Sequence, residues 1–153
     1  MNRLFPLLLA LGLSTVLGAC ASGPRVTGQE AYDGQAAAGV VRPRGTQGAV
    51  IQRRMISGLG SSGAFAGLYP LSSPGQNTEV EILIEPLVVD SQSGRRGFER
   101  LQLQVRAYRK NNPSDGFTKR YRGKASGNRD ALDDILKPLG RDLKRRFGAK
   151  PVY

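Results

Sequence analysis

Two sets of carboxylates, one thiol and several knots of basic residues hold most of the chemistry that this chain could perform. Glu79, Glu81 and Glu85 alternate along one segment, and Asp130, Asp133 and Asp134 crowd another. A carboxylate pair can cleave a glycosidic bond when one member is kept protonated in an apolar pocket. Arg106, Arg120 and Arg122, on strands expected to neighbour the glutamates, should instead pair with them across the sheet and keep them ionised. The aspartates could hold a hard cation through oxygen. Their place at the start of an apolar-periodic run is explained without one, by capping and by the helix dipole. The chain has no histidine, which removes the commonest general base and metal ligand. Ser57, Ser61, Ser62, Ser72 and Ser73 therefore lack that base, and no S-x-x-K pattern occurs. Tyr69, Tyr108 and Tyr121 stand in no catalytic motif. The expectation is a chain with no catalytic residues, no metal site and no small-molecule cofactor.

One glycine pattern is a false lead. Gly58-Leu59-Gly60-Ser61-Ser62-Gly63 spells G-x-G-x-x-G, but a dinucleotide site needs a strand before it and a helix after it. Here the preceding residues have helical spacing, and Pro70 and Pro74 follow. The pattern is expected to be a helix end leading into a loop.

Charge says more. The sequence has 153 residues, with 23 Lys and Arg against 12 Asp and Glu, a formal charge of +11. Such an excess on a small module favours an anionic partner. The cations cluster as Arg95-Arg96, as Lys119, Arg120, Arg122 and Lys124, and as Lys144, Arg145 and Arg146, with Phe117 and Tyr121 interleaved. These are the candidate residues for binding an anionic partner.

The thiol gives an address. Arg3 precedes Leu4–Val16, which carries no charge, and small residues then surround Cys20. That is the layout of a secretory signal, and the apolar run is too short to span a bilayer. Leu17-Gly18-Ala19-Cys20 resembles the lipobox of bacterial lipoproteins. The resemblance implies cleavage between Ala19 and Cys20, a diacylglycerol thioether on Cys20 and a further N-acyl chain (palmitate and its like), which together hold stably where one chain would not. Ala21 stands where an aspartate would retain such a protein at the inner membrane. The resemblance thus implies the outer membrane, periplasmic face, in a cell with two membranes. Export also makes nucleic acid an unexpected partner.

The elements that must position these groups can be read from periodicity. Residues 1–19 are expected to be the signal, 20–45 a Gly- and Ala-rich tether and 46–153 the folded domain, with Val40-Val41 as a possible short strand. Val50, Ile51, Met55, Ile56 and Leu59 predict a helix over 47–58. Val80, Ile82 and Ile84 alternate with glutamates, and Leu101, Leu103, Val105 and Ala107 alternate with polar residues. With "FTKRYRGKA" they predict three antiparallel strands, Pro86 marking a bulge and Pro113 with Asp115-Gly116 a turn. Leu132, Ile135, Leu136, Leu139, Leu143 and Phe147 form the stripe of a long terminal helix, with Asn128 as N-cap, Gly148 at its end and a kink at Pro138. The fold class is α+β, a two-layer sandwich with an antiparallel sheet of three or four strands and two helices on one face. This order of elements, over residues 46–148, resembles small modules of lipopolysaccharide-assembly lipoproteins, of curli-secretion lipoproteins and of the N-terminal domain of TolB. The short motif that follows the cysteine in the first of these is absent from "CASGPRV".

The sequence reading is therefore a non-catalytic lipoprotein accessory to an envelope complex, or a direct binder of peptidoglycan or lipopolysaccharide, with an envelope hydrolase least favoured. Mass spectrometry of membrane-extracted protein should find a mature chain beginning at an acylated Cys20. Cys20→Ser should leave the precursor uncleaved and free of acyl label.

Overall fold

The computed structural model describes residues 36–91 and 97–148. Residues 1–35, with Ala19 and Cys20, and residues 92–96, with Arg95 and Arg96, lie outside the described residues. In chain order the elements are β1 (Ala37–Val41), α1 (Gly48–Leu59) with a single 3-10 turn at Gly60–Ser62, and β2 (Gly67–Leu71). Then come β3 (Val80–Ser91), β4 (Phe98–Arg109), β5 (Asn112–Lys124) and α2 (Ala131–Phe147). The strands form one sheet in the order β2-β1-β3-β4-β5.

The α+β class and the two helices hold, but the sheet has five strands and is mixed. β1 runs parallel to both β2 and β3, whereas β3, β4 and β5 form the expected antiparallel meander. Because β1 is an interior strand, the folded domain begins by Ala36 and the expected tether cannot extend to residue 45. β1 reads "AAGVV", with no alternation, since a central strand is covered on both faces and polar residues have no place on it. β2 reads "GLYPL"; its glycine and proline argue against a strand, yet an edge strand tolerates a missing N–H.

Both helices cover one face of the sheet. Leu132, Ile135, Leu139, Leu143 and Phe147 of α2 are buried with Leu101, Leu103, Val105 and Ala107 of β4 in one core. Ile51, Met55 and Leu59 of α1 join it with Val80 and Ile82 of β3. Gln52 is the polar member of this buried face: its Nε2 donates to Val40 O at 2.7 Å and to Leu71 O at 2.9 Å. It thereby ties α1 to the adjoining strands β1 and β2, adding a second donor to the Leu71 carbonyl, which also accepts from Arg42 N–H at 2.8 Å.

The structure departs from several of the local expectations and bears out others. The N-cap of α2 is Asp130, not Asn128, in a reciprocal capping box with Asp133. The helix continues through Pro138, and Gly148 ends it in an extended conformation. The β4–β5 connection turns at Lys110-Asn111, and Pro113–Asp115 instead lie in β5 as extra residues where the register jumps. The expected bulge at Pro86 is present, between Pro86 and Val88. The G-x-G-x-x-G run is the end of α1 and its 3-10 turn. Among the described residues no helix is long and apolar enough to cross a membrane.

β5 passes so close to the start of α2 that a Cβ at Gly123 would collide with the Ala131 carbonyl. Gly123→Ala should therefore cost about 1–3 kcal/mol through overpacking. Leu139→Ala, which empties a fully buried site, should cost about 2–5 kcal/mol. Urea unfolding followed by circular dichroism checks both.

Candidate functional site

Strand alternation divides the basic residues of β5 between two faces. Lys119 and Tyr121 point to the helix side, while Arg120, Arg122 and Lys124 point to the face that no helix covers. The register sets Thr118 opposite Arg106, Arg120 opposite Gln104, Arg122 opposite Gln102 and Lys124 opposite Arg100. One strand further, Arg106 faces Leu83, Gln104 faces Glu85 and Gln102 faces Val88. The open face of β3–β5 is thus a polar, arginine-rich surface with Leu83 and Val88 set into it.

The two faces treat their cations differently. On the helix side, Asp142 Oδ2 accepts from Lys119 Nζ at 2.7 Å and from Tyr121 OH at 2.8 Å, and its Oδ1 accepts from Arg145 at 2.9 Å. Arg146 pairs with Asp115 at 2.9 Å, and Arg109 reaches the same carboxylate at 2.8 Å. The hydrogen bond from Lys119 leads in holding the Asp142 carboxyl below its ordinary value, against the upward pull of its burial. Burial, followed by the bond to Asp142, pushes the Tyr121 phenol up, so it remains a donor. Phe117, Lys119, Asp142, Arg145 and Arg146 line a hollow of about 420 Å³ there. Lys144 stands apart, on a hollow of about 390 Å³ between the end of α1 and α2.

On the open face, Arg106, Arg120, Arg122 and Lys124 make no ion pair among the described residues. Arg120 Nε donates to Gln104 Oε1 at 3.3 Å, and Gln104 Nε2 donates to Glu85 Oε2 at 3.1 Å. The Arg106 guanidinium lies 5.0 Å from the centroid of the Tyr108 ring. All four cations are exposed. Arg106 belongs to the site although no basic run flags it; the alternation of β4 is the signal that locates it.

The glutamates share that side of the sheet, but the expected direct pairs with arginine are not formed. Glu85 meets Arg120 only through Gln104. Glu81 is 1% exposed, covered by the β2–β3 loop, and its carboxylate accepts from Gly75 N–H at 2.6 Å and from Tyr108 OH at 2.7 Å. Burial and this bond raise the Tyr108 phenol above its ordinary value. Glu81 is a structural acceptor closed off from solvent, not a group presented to a substrate.

Asp130 and Asp133 serve the helix start and an ion pair with Arg54 of α1. Burial pulls the Asp130 carboxyl upward, but Arg54 and the Leu132 N–H together hold it below its ordinary value. Sequence reasoning did not pick out Arg54, nor Arg42 and Arg44. The latter two line a groove of about 470 Å³ with Ser72, Ser73 and Glu85, beside the open face.

No protein-family model matches the chain, and no curated protein matches it. Among solved structures it is similar to the PelC dodecamer from Paraburkholderia phytofirmans, at 15% identity over 80% of this chain and 96% of that one, TM-score 0.44. The hypothetical protein CT253 from Chlamydia trachomatis matches at 12% identity over 73% of this chain and 95% of that one, TM-score 0.43. A DUF330-family protein from Xanthomonas campestris matches at 11% identity over 82% of each chain, TM-score 0.42. These likenesses concern the fold alone.

The two lowered carboxylates fix an acid response. A folded-state value below the unfolded one stabilises the fold above the ordinary aspartate value of 3.8, and that stability is lost as pH falls through the folded values. The melting temperature should therefore drop as pH is lowered from about 4. Asp142→Asn should melt lower at neutral pH and show a flatter decline below it, measured by thermal scans across pH.

Proposed function

We propose that this chain is a lipid-anchored, non-catalytic accessory protein of a bacterial envelope that holds an acidic partner protein on the open face of its sheet. The carrying observation is the unequal treatment of its cations. Arg109, Lys119, Arg145 and Arg146 on the helix side are neutralised by Asp142 and Asp115, whereas Arg106, Arg120, Arg122 and Lys124 are exposed on a broad face and make no ion pair among the described residues. Arginine is enriched where proteins meet, because its planar fork binds carboxylates at two points and its stem packs on apolar groups. Leu87 and Val88, 39% and 40% exposed, supply apolar surface at the margin of the same face. The polar chemistry of the buried Glu81 is used within the fold, which supports a binding role over a hydrolytic one.

The lipobox supports anchoring at Cys20 and, with Ala21, outer-membrane placement facing the periplasm. A tether shorter than residues 20–45 would then hold the domain near the bilayer.

The test compares the full acylated chain with Arg106→Glu/Arg120→Glu/Arg122→Glu in detergent extracts of envelopes. A protein should be retained by the wild type after muramidase treatment and released at about 0.5 M salt, where screening is short-ranged. The triple variant should bind it at least about tenfold more weakly, about 1.4 kcal/mol, with its melting temperature little changed. Retention that disappears with muramidase, or that survives in the triple variant, contradicts the proposal.

A further inference from the structure

The sheet has two outer edges, and they differ. β2 is five residues long and contains Pro70, which has no N–H to offer. β5 keeps an unbroken register with β4 from Gly116 to Lys124, with no proline in that span. The direction of its backbone groups follows from one hydrogen bond. Ala125 N–H donates to Glu99 O at 2.7 Å, which continues the β4–β5 ladder by one hydrogen-bonded pair. Such pairs alternate along an antiparallel ladder. Lys124, Arg122, Arg120 and Thr118 therefore fall in the pairs that are not hydrogen-bonded to β4, and their N–H and C=O groups turn to the outer edge. Lys124 confirms the direction, for its N–H reaches Asp134 Oδ2 on α2 at 3.5 Å. The residues whose backbone groups face outward are also those whose side chains stand on the open face.

We propose that the outer edge of β5 from Thr118 to Arg122 is a strand-docking site for an extended acidic segment of the partner protein. Such a segment would form main-chain hydrogen bonds with Thr118, Arg120 and Arg122. It would place a carboxylate at every second position, directly opposite Arg120 and Arg122. Main-chain bonds supply affinity in strand addition, and alternate side chains supply selectivity. The charge decides the occupant. A second copy of this chain pairing edge to edge would set arginine against arginine, which is destabilising. Cationic side chains on an exposed edge similarly discourage indiscriminate pairing and leave an acidic strand as the matching one. The inference rests on the acidic-partner reading above and adds the backbone edge to it.

The probe is the capped heptapeptide Thr-Glu-Thr-Glu-Val-Glu-Thr, with an analogue methylated on alternate backbone nitrogens, titrated into the full acylated chain in neutral detergent micelles. Calorimetry gives affinities, and amide exchange by NMR reports each backbone N–H. Docking should slow exchange at Thr118, Arg120 and Arg122. The methylated analogue should bind at least about tenfold more weakly. Thr118→Pro, which deletes one outward N–H and leaves the β4 ladder intact, should weaken the parent peptide several-fold while the fold persists. If both peptides bind alike, salt-sensitively and without slowed exchange, the edge proposal falls and the acidic-face reading stands. If neither peptide binds although the envelope protein is still captured, the edge proposal falls again. Loss of that capture as well removes the acidic-partner reading on which it rests.

Discussion

Two helices suffice to cover one face of a five-stranded sheet, and the apolar stripe of α2 commits them to that face. Leu132, Ile135, Leu139, Leu143 and Phe147 all lie in the core with β4. Burial of that stripe is the main apolar gain available to the terminal helix, and it fixes which side of every strand must be apolar. The opposite side of β3–β5 is then obliged to be polar. A polar face rich in arginine follows from the cover on the other side together with a composition that carries nearly twice as many basic as acidic residues.

Where the few acidic residues stand decides what that excess can do. Asp142 and Asp115 sit among the cations of α2, β4 and β5 on the helix side, and Asp130 and Asp133 hold Arg54 at the helix start. Glu81 is sealed beneath the β2–β3 loop by hydrogen bonds that involve no cation. On the open face Glu85 meets Arg120 through Gln104, and Asp90 pairs directly with Arg100 at 2.8 Å. Arg106, Arg120, Arg122 and Lys124 on the uncovered face are outside any ion pair among the described residues, as are Lys137, Arg141 and Lys144 of α2.

The parts of the fold that obey a simple period were legible in the sequence. β3 and β4 alternate and α2 carries a continuous stripe, so their existence, and the helix cover on one face, could be read directly. β1 was legible only as the short stretch Val40-Val41, and β2 not at all. A strand covered on both sides has nothing to alternate, and a strand with Gly67 and Pro70 violates the usual composition, so the parallel half of the sheet left no alternating pattern. The candidate site was half legible. Basic runs located Arg120, Arg122 and Lys124, but runs ignore the parity of a strand, and so Lys119, Arg145 and Arg146 were grouped with them although Asp142 and Asp115 occupy these three. The N-cap was placed at Asn128 because asparagine is a good cap, whereas Asp130 gains a second bond from Asp133 and an ion pair with Arg54. Gln52 could not have been foreseen, since the carbonyls it serves belong to strands without an alternating signature.

The proline in β2 has a consequence for assembly. A sheet that can be lengthened at both borders is able to polymerise, each added molecule presenting a fresh template to the next. Here one border is short and interrupted at Pro70, so growth begun on the far side stops after a single addition. The domain behaves as a terminus for β-structure rather than a link in it, a safeguard against fibre formation wherever many copies are crowded together.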